Sequence, residues 1–104
     1  MISKYRNKKV TYQGVKFDSI AERNYYLILL KKYKKEDIKL QPKFILQDKY
    51  VDNQGNNVRA ITYIADFMIG DEVYDVKGYE TEVFKIKEKL FKKKYKKYNF
   101  VKVK

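Results

Sequence analysis

The 104-residue sequence contains no cysteine and no histidine. Their absence removes disulfides, thiol nucleophiles, Cys/His zinc sites and histidine general bases together. A metal, if the chain uses one, must be a hard cation such as magnesium or manganese, held by carboxylates, carbonyls and water. A catalytic cation must be lysine or arginine. Long apolar runs are also missing. Stretches such as YYLILL are too short to cross a bilayer, so no membrane partner is expected. The start, MISKYRNKK, is charged and leads into no apolar core, so it does not read as a secretory signal. No Pro-, Gly- or Ser-rich linker and no internal repeat divides the chain, and residues 1–104 are expected to form one domain with one modest core.

What is present is apolar, aromatic and basic. A hydrophobic content of 44 %, with eleven Tyr and six Phe, argues for a folded chain. The formal net charge is +12, and residues 85–104 hold ten Lys against Glu88 alone. That balance favours a polyanionic partner such as nucleic acid. Against this background, six of the 13 acidic residues fall between Asp66 and Glu82, with Lys77 the one basic residue among them. The question the sequence raises is why so basic a chain gathers its negative charge in one place.

Patterning predicts the elements around that stretch. VTYQGVKF (10–17) reads as a hairpin turning on Gln13-Gly14. Ser19 and Glu22 form an S-x-x-E capping arrangement that opens a helix to about Lys35. Residues 38–50 read as a strand with an edge or bulge at Pro42, and DNQGNN (52–57) as a turn. Residues 58–69 predict a central strand with two largely apolar faces, Ala60, Thr62, Ile64, Asp66, Met68 and Ile61, Tyr63, Ala65, Phe67, Ile69. Gly70-Asp71 is a hairpin turn and 73–77 the returning strand. A helix from about Thr81 to Lys97 and a short strand at 99–103 complete the order αβββαβ, an α/β mixed sheet with an N-terminal hairpin.

In that register Asp66 lies opposite Asp75, and Asp75 shares a strand face with Lys77 while Val76 points away. Opposed carboxylates about 5 Å apart at an effective dielectric near 20 repel by about 3 kcal/mol, a large part of the roughly 5–15 kcal/mol that holds a domain folded. Lys77, a shared proton or a divalent cation must offset it. Two more charges stand out. Glu22 sits among Tyr25, Tyr26 and Leu29 on its helix's apolar side, where it either caps its own helix or faces the acids. Lys87 lies within the stripe Val83, Phe84, Leu90, Phe91, Tyr95. Lys85, Lys89, Lys92, Lys93 and Lys96 lie away from that stripe and read as a solvated or phosphate-binding surface.

Glu22 on a first helix, Asp66 ending one strand and D-V-K at 75–77 on the next resemble the PD-(D/E)XK nuclease superfamily, over about residues 19–103. More narrowly, FDSIAE, LQPKF, ITYIADF and YDVKGYETEVFKIKEKLF together resemble small nuclease-like proteins of phages and prophages. They are also similar to archaeal-type Holliday-junction resolvases and to the endonuclease subunit of some bacterial transposases. Ala65 stands where the superfamily's name has Pro.

The resemblance implies a restriction-endonuclease-like core and a magnesium- or manganese-dependent DNA endonuclease. It would act on branched or duplex DNA, as a homodimer, in the cytoplasm of a bacterial host. It implies that Asp66 and Asp75 ligate the metal, with Glu22 a direct or water-mediated ligand and the Val76 carbonyl a further one. Lys77 would orient and help deprotonate the attacking water and stabilise charge on the phosphate. Gln41 and Lys87 are further candidates for contacting the scissile phosphate. The alternative is a non-catalytic DNA- or RNA-binding module on a nuclease-like fold, with bases stacking on exposed aromatics. A small RNA-binding or ribosome-associated protein is a third reading.

Overall fold

The computed structural model describes residues 9–104; the charged start of the chain, MISKYRNK, lies outside them. The first hairpin, β1 (Val10–Tyr12) and β2 (Val15–Phe17), turns on Gln13 and Gly14, both at positive φ (49° and 83°). That is the two-residue turn whose twist suits antiparallel strands, and Gly14 takes the left-handed backbone without a steric penalty. Helix α1 (Ile20–Lys32) opens on Ser19, whose Oγ accepts the Glu22 amide at 3.1 Å. It ends short of the expected Lys35, and Lys35–Asp37 form a single 3-10 turn that leads into the sheet.

The strand expected at 38–50 is divided into β3 (Lys39–Leu40) and β4 (Lys43–Gln47). The break is at Gln41-Pro42, where Pro42 has no amide to donate and Gln41 stands at φ 49°. A small hairpin follows, β5 (Tyr50–Val51) and β6 (Asn57–Val58), closed by Asp52, whose Oδ1 accepts the amides of Gln54 and Asn56 at 2.9 and 2.8 Å. The strand expected at 58–69 is likewise divided, into β7 (Ile61–Ile64) and β8 (Phe67–Ile69). The two breaks face each other. The Ala65 amide donates to the Pro42 carbonyl and the Gln41 amide to the Asp66 carbonyl, each at 3.0 Å.

Beyond the breaks, β4 and β7 leave as a separate antiparallel ribbon. The remainder forms a four-stranded mixed sheet in the order β10-β9-β8-β3. Here β9 is Glu72–Val76 and β10 is Asn99–Val103. The β8-β9 hairpin turns at Gly70 (φ 57°) with Ile69 opposite Glu72, as the pattern predicts. Helix α2 (Glu82–Lys94), capped by Thr81, makes the crossover that lets β10 pair parallel with β9. The αβββαβ order is therefore present, with each of the first two strands bent. No helix among the described residues is long and apolar enough to cross a membrane.

Each helix covers its own side. Phe17, Tyr26, Leu29, Ile38, Phe67, Ile69 and Tyr74 form the cluster under α1. Phe44, Leu46, Tyr63, Ala65, Met68, Val73, Phe84 and Phe91 form the one under α2. Strict alternation through 58–69 would place Tyr63 and Ala65 with Phe67 and Ile69. They pack instead with Met68, because the break at Ala65–Asp66 slips the pleat by one residue. Ile61 and Ile64, expected in apolar faces, are left exposed on the ribbon. The stripe of α2 is also corrected. Val83 is exposed, and the buried residues are Phe84, Glu88 and Phe91, so Glu88 rather than Lys87 is the charge within it.

Candidate active site at the bent strands

The bends deliver the acids to one place. A cavity of about 700 Å³ is lined by Glu22, Gln41, Asp66, Asp75, Val76 and Lys77, which are the residues the sequence nominated around the acidic stretch. Asp66 is pinned by its backbone: its amide donates to the Tyr74 carbonyl and its carbonyl accepts from Gln41, each at 3.0 Å. Its Oδ2 accepts the Val76 amide at 2.6 Å, so a side chain stands where a ladder carbonyl would otherwise be. The Asp66 carboxyl meets that of Glu22, which α1 delivers from its first turn.

The expected reciprocal cap is thus only half realised. Ser19 caps the helix, and the Glu22 side chain turns to the acids.

Asp75 faces the α2 side. Its Oδ2 accepts the Tyr63 hydroxyl, and Lys77 Nζ lies 3.5 Å from its Oδ1. Oδ1 is buried and has no hydrogen-bond partner among the described residues. The ammonium of Lys77 also sits 4.6 Å above the Phe84 ring. The hairpin register holds to Phe67 opposite Tyr74. At Asp66 the slip sends one acid toward Glu22, while Asp75 is received by Tyr63 and Lys77, so the expected face-to-face repulsion is divided between different partners.

The electrostatics record how little positive charge these acids have. Burial, then the Asp66 carboxyl beside it, pushes Glu22 up to about 8. Burial likewise pushes Asp66 up to about 6, against the pull of the Val76 amide. Asp75 is raised by burial, although the Tyr63 hydroxyl and Lys77 oppose the shift. Glu22 and Asp66 in contact therefore hold a proton near neutral pH.

Among the described residues no three acidic side chains are already drawn together as ligands of a metal ion. The donor set nevertheless fits a hard divalent cation. Magnesium is commonly held by one or two carboxylates and keeps several waters. The buried Asp75 Oδ1, which has no hydrogen bond among the described residues, and the proton-holding carboxyls are groups that such a charge would satisfy.

Lys87 lies apart from these acids. It lines an adjoining cavity of about 300 Å³ with Lys77, Thr81 and Phe84. The other lysines separate into two groups. Lys92 is 2.7 Å from the Glu88 carboxylate and Lys85 is 3.2 Å from that of Glu82. Lys89, Lys93 and Lys96 are exposed and make no ion pair among the described residues. Sequence reasoning missed Tyr63 at the site, because its reach to Asp75 depends on the slipped pleat. It also missed Glu88, for which the 84–88–91 spacing was an available signal.

Fold and cavity together define a mixed α/β domain with a carboxylate–lysine pocket where its strands bend. The chain belongs to the family described as protein of unknown function (DUF1064), which it matches over residues 2–104. No curated protein and no solved structure matches it.

Proposed function

We propose that this protein is a metal-dependent DNA endonuclease of the PD-(D/E)XK type. It would be structure-selective, like Holliday-junction resolvases, and act in phage or prophage DNA recombination or processing. The observation that supports this most is the convergence of Asp66, Asp75, Lys77, Glu22 and Gln41 on one cavity, where the buried Asp75 Oδ1 has the Lys77 ammonium 3.5 Å away and no hydrogen bond among the described residues.

Asp66 and Asp75 would hold magnesium or manganese, with Glu22 and the Val76 carbonyl completing the set directly or through water. When bound, the ion supplies a nucleophilic water at neutral pH and neutralises phosphate charge. Lys77, held beside Asp75 and over Phe84, orients the attacking water and faces the charge that develops on the phosphate. A P–O bond would form to the water oxygen as the ester P–O bond breaks; the water's proton passes to solvent, and solvent returns one to the departing alkoxide. Cutting two strands symmetrically would take a homodimer.

The test is incubation with labelled four-way junction, flap, linear duplex and single-stranded DNA, in magnesium or EDTA. Magnesium-dependent cutting is expected, lost in Asp75→Asn and Lys77→Ala while binding persists. Cutting that survives both substitutions would remove the site assignment. A second reading, a non-catalytic DNA- or RNA-binding module, draws on the exposed Lys89, Lys93 and Lys96. Tight, salt-sensitive binding with no cutting in magnesium or manganese would favour it.

A further inference from the structure

Helix α2 carries six lysines, and they are not equivalent. Lys85 and Lys92 pair with Glu82 and Glu88, and Lys94 lies 5.8 Å from the centre of the Tyr95 ring. Lys89 and Lys93 are exposed. Lys87 is the half-buried one, and it makes no ion pair, hydrogen bond or ring contact among the described residues. The acids of its own helix are already taken, Glu82 by Lys85 and Glu88 by Lys92 and Lys102. An ammonium partly withdrawn from water without a counter-charge is a seat for an anion, because burial makes an unpaired charge costly.

The cavity that Lys87 lines, of about 300 Å³, has Ile64, Val83 and Phe84 as apolar walls. It also takes in Thr62, whose hydroxyl makes no hydrogen bond among the described residues. Glu22, Asp66 and Asp75 line the larger cavity and not this one, while Ile64, Lys77 and Thr81 line both. Lys77 therefore stands where the two adjoin. Its ammonium lies 4.6 Å above the Phe84 ring. Lys87 follows Phe84 by three residues, on the same side of the helix and about 4.5 Å further along its axis.

A DNA strand carries a phosphate at every nucleotide. One whose scissile phosphate lies at the acids and Lys77 has its neighbour to place close by. Resting on the nuclease reading of the acid cavity, we infer that Lys87 and Thr62 form a second phosphate subsite, which takes the phosphate next to the scissile one. Lys87 supplies the charge and the Thr62 hydroxyl a hydrogen bond. The sequence nominates Lys87 for the scissile phosphate; its separation from the three acids moves it one step along the strand. A strand ending at the cut would leave the subsite empty, so an internal phosphodiester is preferred over a terminal one.

The test reads binding of the full chain in EDTA, apart from cleavage. The probe is a four-way junction, whose branch point fixes the register, with one neutral methylphosphonate placed at successive positions of a strand. The wild-type protein should lose affinity at the position next to the phosphate that magnesium-dependent cutting maps on the unmodified junction. Lys87→Gln should be insensitive at that position and keep the wild-type losses elsewhere. On unmodified DNA its plot of log affinity against log salt should be shallower by about 0.9, the share of one phosphate contact. Lys87→Arg should restore the slope, and Thr62→Val should weaken binding without changing it.

An unchanged slope in Lys87→Gln would overturn the inference. So would a Lys87-dependent position at the scissile phosphate itself or more than one step from it, and full affinity in Thr62→Val would remove Thr62 from the subsite. If Lys87→Gln fails to fold, as judged by circular dichroism, the wild-type scan decides: a loss at one neighbour of the scissile phosphate supports the subsite, and no loss at either neighbour refutes it. A Lys87-dependent position without any cutting in magnesium or manganese keeps the phosphate subsite and sinks the nuclease reading. Cutting that Asp75→Asn abolishes, with no such position, does the reverse.

Discussion

Removing the Tyr63 hydroxyl tests whether this site is held in place by its own second layer. The Asp75 side chain is 2 % exposed, its Oδ1 has no hydrogen-bond partner among the described residues, and its Oδ2 accepts from Tyr63. In Tyr63→Phe the ring and its packing against Phe91 and Phe44 remain, while a buried carboxylate loses the Tyr63 hydroxyl as a donor. A hydrogen bond to a charged group contributes about 1.5–3 kcal/mol. A loss of about 2 kcal/mol in a domain of this size lowers Tm by about 8–16 °C. In an Asp75→Asn background the acceptor is neutral, and the same change should cost about 0.5–1.5 kcal/mol. The four proteins form a double-mutant cycle with a coupling of about 1 kcal/mol.

The assay is thermal and urea denaturation at pH 7 without metal. The bond favours the charged carboxylate, so its contribution is lost as pH falls through the raised Asp75 value, and the Tyr63→Phe deficit should shrink there. Equal losses in both backgrounds, or a deficit unchanged in acid, would refute the coupling. A downstream consequence follows for cleavage: Tyr63→Phe should need more magnesium at pH 7, because its Asp75 gives up the proton less readily.

The Glu22–Asp66 pair sets a second dependence on pH. The folded chain keeps protons on Glu22 to about 8 and on Asp66 to about 6, while the unfolded chain releases them near 4.5 and 3.8. The native state thus binds more protons between those limits, and metal-free stability should fall as pH rises from about 4 to 8. Glu22→Gln should flatten that fall and melt higher than wild type at pH 8; parallel pH profiles would count against it. The Lys102 network should behave with the opposite sign. Lys102 reaches Glu80 and Glu88, both held below the ordinary carboxylate range; at Glu88 the pairs with Lys92 and Lys102 outweigh the effect of burial. Their contribution is present above the unfolded values and lost as pH falls through the folded ones. Lys102→Met should therefore lower Tm at pH 7, with a deficit that shrinks as pH falls through the folded carboxylate values, whereas a deficit unchanged in acid would refute the ion-pair account.

Much of this was legible in local signals. Gly14 and Gly70 marked hairpin turns because glycine takes the positive-φ backbone there without a steric penalty. Ser19 marked a helix start because its hydroxyl can accept an orphan amide. The D-V-K alternation was enough to bring Lys77 beside Asp75. What alternation could not show was its own interruption. The sequence through Ala65 and Asp66 carries no Gly or Pro, and the cue for the bend is Pro42, on the partner strand.

Sequence alone determined the chemistry this protein can use: no thiol, no imidazole, hard oxygen donors and lysine, on a chain whose charge favours a polyanion. It also determined the order of the elements, because that order follows from short-range periodicity and turn residues. The tertiary structure decided which groups meet. The slipped pleat moved Tyr63 onto the face of Asp75 and turned Asp66 toward Glu22. Packing placed Glu88 rather than Lys87 within the α2 stripe. These outcomes depend on contacts between residues far apart in the chain, and no local pattern in the sequence encodes the distance between them.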